Sequence, residues 1–334
     1  MRAIRIHRHG GVDVLKIDEL PLPTPGPGEC LVKIRAVGVN HMDLWVRKGI
    51  PGVKIPLPIT PGCEAAGVVE GRGDEVVITP GRSCGTCSAC REGNDHHCPS
   101  YGLYGETEDG VDAEYKVVPE RNLIPKPKGI SFEEAAAIPV TFLTAWQMLV
   151  GRCGLQSGQT VLILAAASGV GSAGIQIAKL SGARVIATVG SEEKIPRAKE
   201  LGADEVVNHR DPNFSKEVKR LTEGRGVDIV FEHVGAATWE NSLKSLAFGG
   251  KLVTCGATTG PEVRIWLNHL FAKQQEIIGS TMGPTSALVK ILKLAGEKKF
   301  APVIDRIYSF SKAAEAHRRL ESREQFGKIV LVPD

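Results

Sequence analysis

The 334-residue sequence has little net charge and few aromatic residues. Its 41 Lys and Arg residues are nearly balanced by 38 Asp and Glu residues, which leaves a formal net charge of +3. Aromatic residues make up only 5% of the chain, and no basic block is interleaved with them. Nucleic-acid binding needs a basic surface and often stacking aromatics. We therefore expect no nucleic-acid partner.

Long hydrophobic runs are also missing. The longest apolar stretch, residues 135–150, contains a proline and several polar residues and is too short to cross a bilayer. The first six residues start as a strand and contain no signal-peptide core. These absences predict a soluble, cytoplasmic protein with no membrane partner. In that compartment, the crowding of four of the eight cysteines between residues 84 and 98 indicates metal binding rather than disulfides.

A strand, a glycine-rich turn and a helix follow one another from residue 160. Residues 161–164 form a continuous apolar run, as expected for a parallel strand buried on both faces. Gly169, Gly171 and Gly174 follow with the spacing G-x-G-x-x-G. Small residues let the backbone approach a pyrophosphate, and the helix N-terminus offers N–H groups. The order of elements favours a dinucleotide site over a turn that only packs a helix closely on a strand.

The rest of this region alternates strands with helices. Strands are predicted at 161–164, 184–189, 206–207, 227–231, 251–255 and 276–280, and helices at 170–180, 191–201, 214–222 and 237–247. This alternation predicts a six-stranded doubly wound α/β domain. The preceding region is rich in short strands, with helices at 132–137 and 141–149. The chain after residue 282 is predicted to be helical at 285–297 and 311–320 and to end in a strand at 328–332.

The cysteine cluster has the spacing of a zinc site. Cys84, Cys87, Cys90 and Cys98 lie on one short segment, and four thiolates close a tetrahedron around zinc. Such a site is saturated and structural, because no position stays open for substrate. The alternative is four reduced thiols without a metal. Clustered exposed thiols oxidise readily, so the spacing favours zinc.

Several further segments carry a family resemblance: GPGECLVK at 26–33, GDEV at 73–76, AKELGAD at 198–204 and GKIV at 327–330. With the glycine turn and the cysteine cluster, the chain resembles the zinc-containing medium-chain dehydrogenase/reductase superfamily. The resemblance implies an α/β architecture with a GroES-like β domain at 1–141, whose structural-zinc lobe spans about 81–100. A Rossmann doubly wound parallel sheet would follow at 142–281, and 282–334 would return to the first domain. A homodimer or homotetramer is expected, because the edge strand at 276–280 can pair across a two-fold axis.

The resemblance also implies a catalytic site, and here the chain departs from the pattern. Alcohol dehydrogenases of this superfamily present a Cys, a His-Glu pair and a second Cys to a catalytic zinc. These positions correspond here to Asn40, Cys63 with Glu64, and Val140. Cys63 and Glu64, with Asp43 or His41 as a third ligand, would be an irregular metal site. The pattern Asn40-x-x-Asp43-x-x-x-Arg47-x-Gly49 resembles instead the zinc-independent quinone oxidoreductase and enoyl reductase branch.

We therefore expect hydride transfer from NADPH to an activated C=C bond or a quinone, with Asn40, Asp43 and Glu64 as catalytic candidates. An amide donor at Asn40 can stabilise the charge that develops on a conjugated carbonyl oxygen. Asn40 can equally be a helix cap, and Asp43 a solvated acid of the first helical turn. Two other functions stay open: alcohol–aldehyde interconversion with a non-standard catalytic zinc, and nucleotide binding without turnover.

The end of the second strand of the α/β domain bears on the choice between NADP and NAD. Gly190 leaves room there, Ser191 can donate a hydrogen bond, and Lys194 can pair with a 2′-phosphate, so NADP is favoured. Two adjacent glutamates keep NAD as the alternative. The coenzyme-binding residues expected from the motif and the resemblance are Thr144, Ser168, Gly169, Val170, Gly171, Ser191, Lys194, Val234, Cys255, Gly256, Ser280 and Met282.

Overall fold

The computed structural model describes residues 1–334 and divides into two units. The first comprises Met1–Val140 and Pro284–Asp334, and the second comprises Thr141–Gly283. The first unit contains β1 (Arg2–Ile6), β2 (Leu15–Glu19), β3 (Glu29–Val39), α1 (His41–Lys48), β4 (Ala65–Val69), β5 (Glu75–Ile78), β6 (Gly81–Arg82), α2 (Ser88–Arg91), β7 (Gly102–Leu103), β8 (Tyr115–Pro119), β9 (Leu123–Pro125) and α3 (Phe132–Ala136).

The second unit is an alternation of strands and helices. It contains α4 (Thr141–Trp146), β10 (Thr160–Ile163), α5 (Gly169–Leu180), β11 (Arg184–Val189), α6 (Ile195–Glu200), β12 (Glu205–Asn208), α7 (Phe214–Leu221), β13 (Val227–Glu232), α8 (Trp239–Ser245), β14 (Leu246–Thr254), α9 (Leu267–Ala272) and β15 (Glu276–Gly279). The chain then re-enters the first unit with α10 (Thr285–Gly296), β16 (Ile304–Ser309), α11 (Ala313–Glu321) and β17 (Lys328–Val332).

The six strands of the second unit form one parallel sheet in the order β12-β11-β10-β13-β14-β15. The predicted doubly wound sheet is confirmed. The predicted helix at 237–247 runs too far, because Leu246 already begins β14. The predicted helix at 191–201 begins as a 3₁₀ turn, and the one at 141–149 continues beyond Trp146 as a π-helical segment. No helix combines the length and apolar character needed to span a bilayer.

The main sheet of the first unit includes the last strand of the chain. Its order is β16-β17-β3-β4-β5-β9, with β8 also paired to β3. The predicted strand at 328–332 is confirmed, and it lies antiparallel to β3 and parallel to β16. The sequence pattern does not predict β16, because this edge strand is partly exposed and carries Asp305 and Arg306 between its apolar residues.

The connection between β4 and β5 is short, at 70–74, and forms a tight turn. The N–H of Val69 donates to the carbonyl of Asp74 at 2.9 Å, and Gly71 and Gly73 each adopt a φ of 76°. A left-handed φ costs glycine little, so both turn positions suit the residues that occupy them. The antiparallel pairing of β4 with β5 is therefore regular.

Candidate functional site

The glycine turn of the second unit exposes the N-terminus of α5. The Ser168 hydroxyl caps this helix by accepting the N–H of Gly171 at 2.8 Å. A Cβ on Gly171 would lie 2.3 Å from the Ala165 carbonyl oxygen, so no side chain fits there. The N–H groups of Gly169 and Val170 lie in the first helical turn and have no intrahelical acceptor. The turn is therefore suited to receive an anion such as a pyrophosphate.

Two residues at the end of β13 lie beside this turn, where the strand order of the sheet reverses. The imidazole Nε2 of His233 lies 2.9 Å from the Leu164 carbonyl oxygen and 3.4 Å from Ser168 Oγ. Burial lowers the pKa of His233, so the ring is neutral. Glu232 is fully buried, and its carboxylate accepts the N–H of Val234 at 2.6 Å. Sequence reasoning missed both residues, although they follow a predicted strand at the edge where α/β proteins bind ligands.

Basic side chains gather at the end of β11. A Cβ on Gly190 would lie 3.2 Å from His209 Nε2 and 3.8 Å from Arg210 Nε. His209 and Arg210 follow β12, the neighbouring parallel strand, and sequence reasoning missed them. Ser191 Oγ donates to Glu193 at 3.1 Å. This corner of the second unit therefore combines a glycine, a hydroxyl, an imidazole and a guanidinium.

The other expected coenzyme residues lie mostly at strand ends of the same unit. Thr144 is buried in α4, and Val234 and Met282 are buried after β13 and β15. Cys255 and Gly256 follow β14, and burial raises the pKa of the Cys255 thiol to about 12. Ser280 follows β15, and its buried Oγ has no hydrogen-bond partner. The coenzyme role of these residues stays a prediction.

The four clustered cysteines converge in the first unit. The sulfur atoms of Cys84, Cys87, Cys90 and Cys98 all lie within 4.8 Å of one another. Backbone N–H groups of Thr86 and Cys87 donate to Cys84 Sγ at 3.4 and 3.3 Å. These donors, with the Thr86 N–H the largest contribution, lower the pKa of Cys84 to about 5. Four converging sulfurs with N–H donors are compatible with a closed structural zinc site.

A second polar cluster of the first unit lies at the end of β3. The Lys328 ammonium donates to Glu64 Oε1 at 2.5 Å, to Asn40 Oδ1 at 2.8 Å and to the Val39 carbonyl at 2.7 Å. The other Glu64 oxygen accepts the N–H of Val140 at 2.6 Å. Lys328 and Glu64 are both buried, at 4% and 0% exposure. The sequence pattern predicts that Lys328 begins a strand, but it gives no indication that Lys328 belongs to this polar cluster.

Asn40 is the N-cap residue of α1, as one of the two alternatives predicts, and its side chain also belongs to this cluster. Its Nδ2 lies 2.9 Å from Glu64 Oε1 and 3.7 Å from Cys63 Sγ. Its backbone N–H donates to Asp43 Oδ2 at 2.7 Å, at the start of α1. The three catalytic candidates Asn40, Asp43 and Glu64 are therefore brought together, and their catalytic role stays a prediction.

Buried acids surround the cluster. Burial raises the pKa of Asp43 to about 6, and Asp43 Oδ1 has no partner. Asp112 is buried beside Gly62, and burial together with the Asp43 charge raises its pKa. Burial, then the charges of Asp43 and Glu64, raises the pKa of the Cys63 thiol well above its usual value. Cys63 is consequently a neutral thiol at physiological pH.

Two family models match the chain: an alcohol dehydrogenase GroES-like domain at residues 26–128 and a zinc-binding dehydrogenase at residues 169–297. A quinone oxidoreductase from Rattus norvegicus is 33% identical, covering 99% of this chain and 98% of its own. An NAD-dependent alcohol dehydrogenase from Sulfurisphaera tokodaii is 32% identical over the whole of both chains. A crystal structure of an NAD-dependent alcohol dehydrogenase superposes with a TM-score of 0.96 at 51% identity, covering both chains completely.

The chain belongs to the zinc-type medium-chain dehydrogenase/reductase superfamily. It is an oxidoreductase with a GroES-like unit and a Rossmann unit. The cysteine cluster fits the structural zinc of this superfamily. The residues present do not fit a catalytic zinc, because both Glu64 oxygens already accept hydrogen bonds, and Asn40 and Val140 occupy the two positions that correspond to the cysteine ligands of the superfamily. A catalytic zinc needs three protein ligands, and these residues do not supply them.

The substitution Asp43→Asn is expected to stabilise the protein above neutral pH. The folded-state pKa of about 6 exceeds the ordinary value of 3.8, so the folded state holds this proton more tightly. The free energy of unfolding therefore falls as pH rises between those values, by about 3 kcal/mol in total. The uncharged amide of the variant removes this loss, and its oxygen can still accept the Asn40 N–H. Urea unfolding at about pH 4 and about pH 8 measures the difference.

The exposed acid Asp13 provides the matched control, and Asp13→Asn is expected to leave the pH dependence unchanged. A variant Asp43→Asn that is less stable than the wild type at about pH 8 would contradict the assignment. It would mean that the carboxylate gains more from the Lys328 charge than it loses through burial.

Proposed function

We propose that the protein transfers a hydride from NADPH to an activated C=C bond or a quinone, without a catalytic metal. The buried network of Lys328, Glu64 and Asn40 is the observation that carries this proposal. It occupies the residues that correspond to a catalytic zinc site and satisfies their hydrogen bonds internally. The similarity to quinone oxidoreductases supports the same function.

The arrangement suits a substrate whose developing charge is delocalised. The reduced nicotinamide supplies the hydride when it is bound. In a conjugated carbonyl or quinone, negative charge then spreads to an oxygen remote from the attacked carbon, and hydrogen-bond donors can stabilise it. The Asn40 NH₂ group lies 2.9 Å from Glu64 Oε1, 3.2 Å from the Gly38 carbonyl oxygen and 3.7 Å from Cys63 Sγ. For Asn40 to donate to the substrate, one of these N–H groups has to leave its acceptor in the protein. The neutral Cys63 thiol adds no opposing charge.

Alcohol–aldehyde interconversion is the second candidate. The structure that is 51% identical to this chain is named an NAD-dependent alcohol dehydrogenase. For this chain to do the same chemistry through zinc, Glu64 would have to exchange Lys328 for a metal. The two candidates therefore differ in the number of zinc ions per chain.

Metal content and turnover test the proposal together. Elemental analysis of protein purified without added metal is expected to give one zinc per chain. NADPH-dependent reduction of enones or quinones is expected, and NADP⁺- or NAD⁺-dependent oxidation of simple alcohols is not. Two zinc ions with alcohol oxidation would favour the alternative. No turnover with any substrate of the panel would indicate a nucleotide-binding protein without catalysis.

Variants of two cysteines test whether the cysteine cluster holds the expected zinc ion. Cys87→Ser is expected to lose the ion and to lower the melting temperature, because the metal braces a loop with few apolar residues. Cys153 is buried outside the cluster, and Cys153→Ser is expected to keep the ion. Retention of one zinc per chain by Cys87→Ser would contradict the assignment.

We infer that NADP is the preferred coenzyme, bound with its 2′-phosphate near Gly190, Ser191 and Lys194. His209 and Arg210 support this inference, since both place nitrogen atoms next to Gly190. The Arg210 guanidinium can donate charge-assisted hydrogen bonds to a phosphate, and the His209 imidazole can add a further donor. An unmodified ribose gains little from these groups.

Arg210→Ala is expected to weaken NADPH binding about tenfold, the loss of about 1.5 kcal/mol for one charged hydrogen bond. NADH binding should change little. Fluorescence titration of both coenzymes measures the two constants. The control is Arg220→Ala, which removes an exposed arginine of α7 that pairs with Glu217. Equal losses for NADPH and NADH would contradict the NADP assignment.

We infer that the protein forms a homodimer or homotetramer through β15. This strand bonds to β14 on one side only, and Phe248, Leu267 and Phe271 are 67%, 67% and 72% exposed on segments of the same unit. An open strand edge flanked by apolar residues favours association. Light scattering is expected to give a multiple of the 35.7 kDa chain mass. Phe271→Glu should reduce it, whereas Val289→Glu on α10 should not.

A further inference from the structure

Lys328 is enclosed by oxygen atoms. Its Nζ lies 2.5 to 2.8 Å from a carboxylate oxygen of Glu64, the amide oxygen of Asn40 and the carbonyl oxygen of Val39. Three acceptors require three N–H donors, so the amine is a protonated ammonium whose hydrogens are all used. The residue is only 4% exposed, and water has little access to this cation.

The ammonium sets the orientation of its neighbours. Lysine can only donate, so the atom of Asn40 that faces it is Oδ1, and Nδ2 must point the other way. Nδ2 accordingly contacts Glu64 Oε1 at 2.9 Å and lies 3.7 Å from Cys63 Sγ. The Gly38 carbonyl, at 3.2 Å from Nδ2, favours the same flip. With an uncharged residue at position 328, the amide would lose the contact that holds its Oδ1.

The ammonium is also the counter-charge for two buried acids. Glu64 is in direct contact with it, and Asp43 is buried nearby at 1% exposure. The Lys328 charge acts to lower the pKa of Asp43 and of Cys63, against the larger effect of burial. A buried carboxylate without a counter-charge is strongly destabilising. This pocket of the first unit therefore requires a cation.

We propose that Lys328 is the built-in cation of this site and that its ammonium keeps divalent metal ions out. The oxygen atoms around Nζ belong to one carboxylate, one amide and one main-chain carbonyl. As ligands, these three oxygens suit a hard divalent ion once the ammonium is removed. Lys328 is thus a positioning residue, which acts through Asn40 and Glu64. Its catalytic consequence rests on the proposed function above, whereas the metal-binding claim does not.

Manganese binding tests the proposal without any turnover. Mn²⁺ prefers oxygen donors to the thiolates of the cysteine cluster, and its bound fraction can be counted by electron paramagnetic resonance. Lys328→Met is expected to bind one Mn²⁺ per chain at least tenfold more tightly than the wild type. The double variant Lys328→Met with Glu64→Gln should lose this gain, because the charged ligand is gone.

The matched control is Lys126→Met. Lys126 is another lysine of the first unit with a 6% exposed side chain, and it pairs with Glu75 at 3.1 Å. This variant is expected to bind no more Mn²⁺ than the wild type. A folded Lys328→Met variant without tighter Mn²⁺ binding would overturn the proposal, as would tight Mn²⁺ binding by the wild-type protein.

Thermal unfolding covers the case in which Lys328→Met folds poorly. Its melting temperature is expected to fall by roughly 10 °C, and millimolar Mn²⁺ should restore much of that loss. The wild type and the double variant should not respond to Mn²⁺. A Lys328→Met protein that stays unfolded with and without Mn²⁺ while the double variant folds would overturn the claim that a metal can replace the ammonium.

Kinetics separate this claim from the proposed function. If NADPH-dependent turnover exists, Lys328→Met should lower kcat at least tenfold with an unchanged NADPH dissociation constant, and Lys328→Arg should recover part of it. Equal kcat values for Lys328→Met and the wild type would remove the positioning role. Absence of turnover in the wild type would contradict the proposed function and leave the Mn²⁺ result standing on its own.

Discussion

The buried ion pair between Lys328 and Glu64 is the interaction on which the site of the first unit depends. It joins the last strand to the turn that enters β4, across 264 residues of sequence. Removing two charges from water is costly, and the cost is offset only when the remaining hydrogen-bonding atoms are satisfied. Here the Val39 carbonyl and the Asn40 amide oxygen accept the other two N–H groups of the ammonium. The N–H of Val140 donates to the second carboxylate oxygen of Glu64. One partner without the other would leave an uncompensated charge.

This saturated network explains how an oxidoreductase of a zinc-type superfamily can lack a fitting catalytic metal site while it retains the thiolate cluster. The two sites have different tasks. The cysteine loop is tied to the rest of its unit by Asp95, which accepts the N–H and hydroxyl of Thr285 at 2.9 and 2.5 Å. A zinc ion held by all four thiolates would stabilise this loop and leave no position open for substrate.

Much of the fold could be predicted because its signals are local. The glycine turn, the apolar parallel strands and the cysteine spacing each lie within a few consecutive residues. Lys328 lies in the GKIV segment at 327–330, which predicts a strand, but its burial and its role are decided by partners far away in the chain. Arg47 shows the same limit: the helical pattern suggests an exposed or anion-binding arginine, yet it is fully buried against Glu321 and His317 of α11. His209 and Arg210 could have been predicted from the sequence. They follow a predicted strand, and neighbouring parallel strands end at the same edge of a sheet as the coenzyme-binding turn.

The first unit is built from two separate segments of the chain, 1–140 and 284–334, and this division imposes an order on folding during synthesis. Residues 141–283 are continuous, so the parallel sheet is complete once β15 has left the ribosome. Residues 37–39 of β3 pair with β17, which follows β15 in the chain, whereas residues 29–33 pair with β8. Until β17 is made, residues 37–39 lack this partner strand and Glu64 lacks its counter-charge, so a nascent chain exposes unpaired backbone groups and an uncompensated carboxylate. The pairing of β17 with β3 therefore completes both the main sheet and the buried ion pair of the first unit.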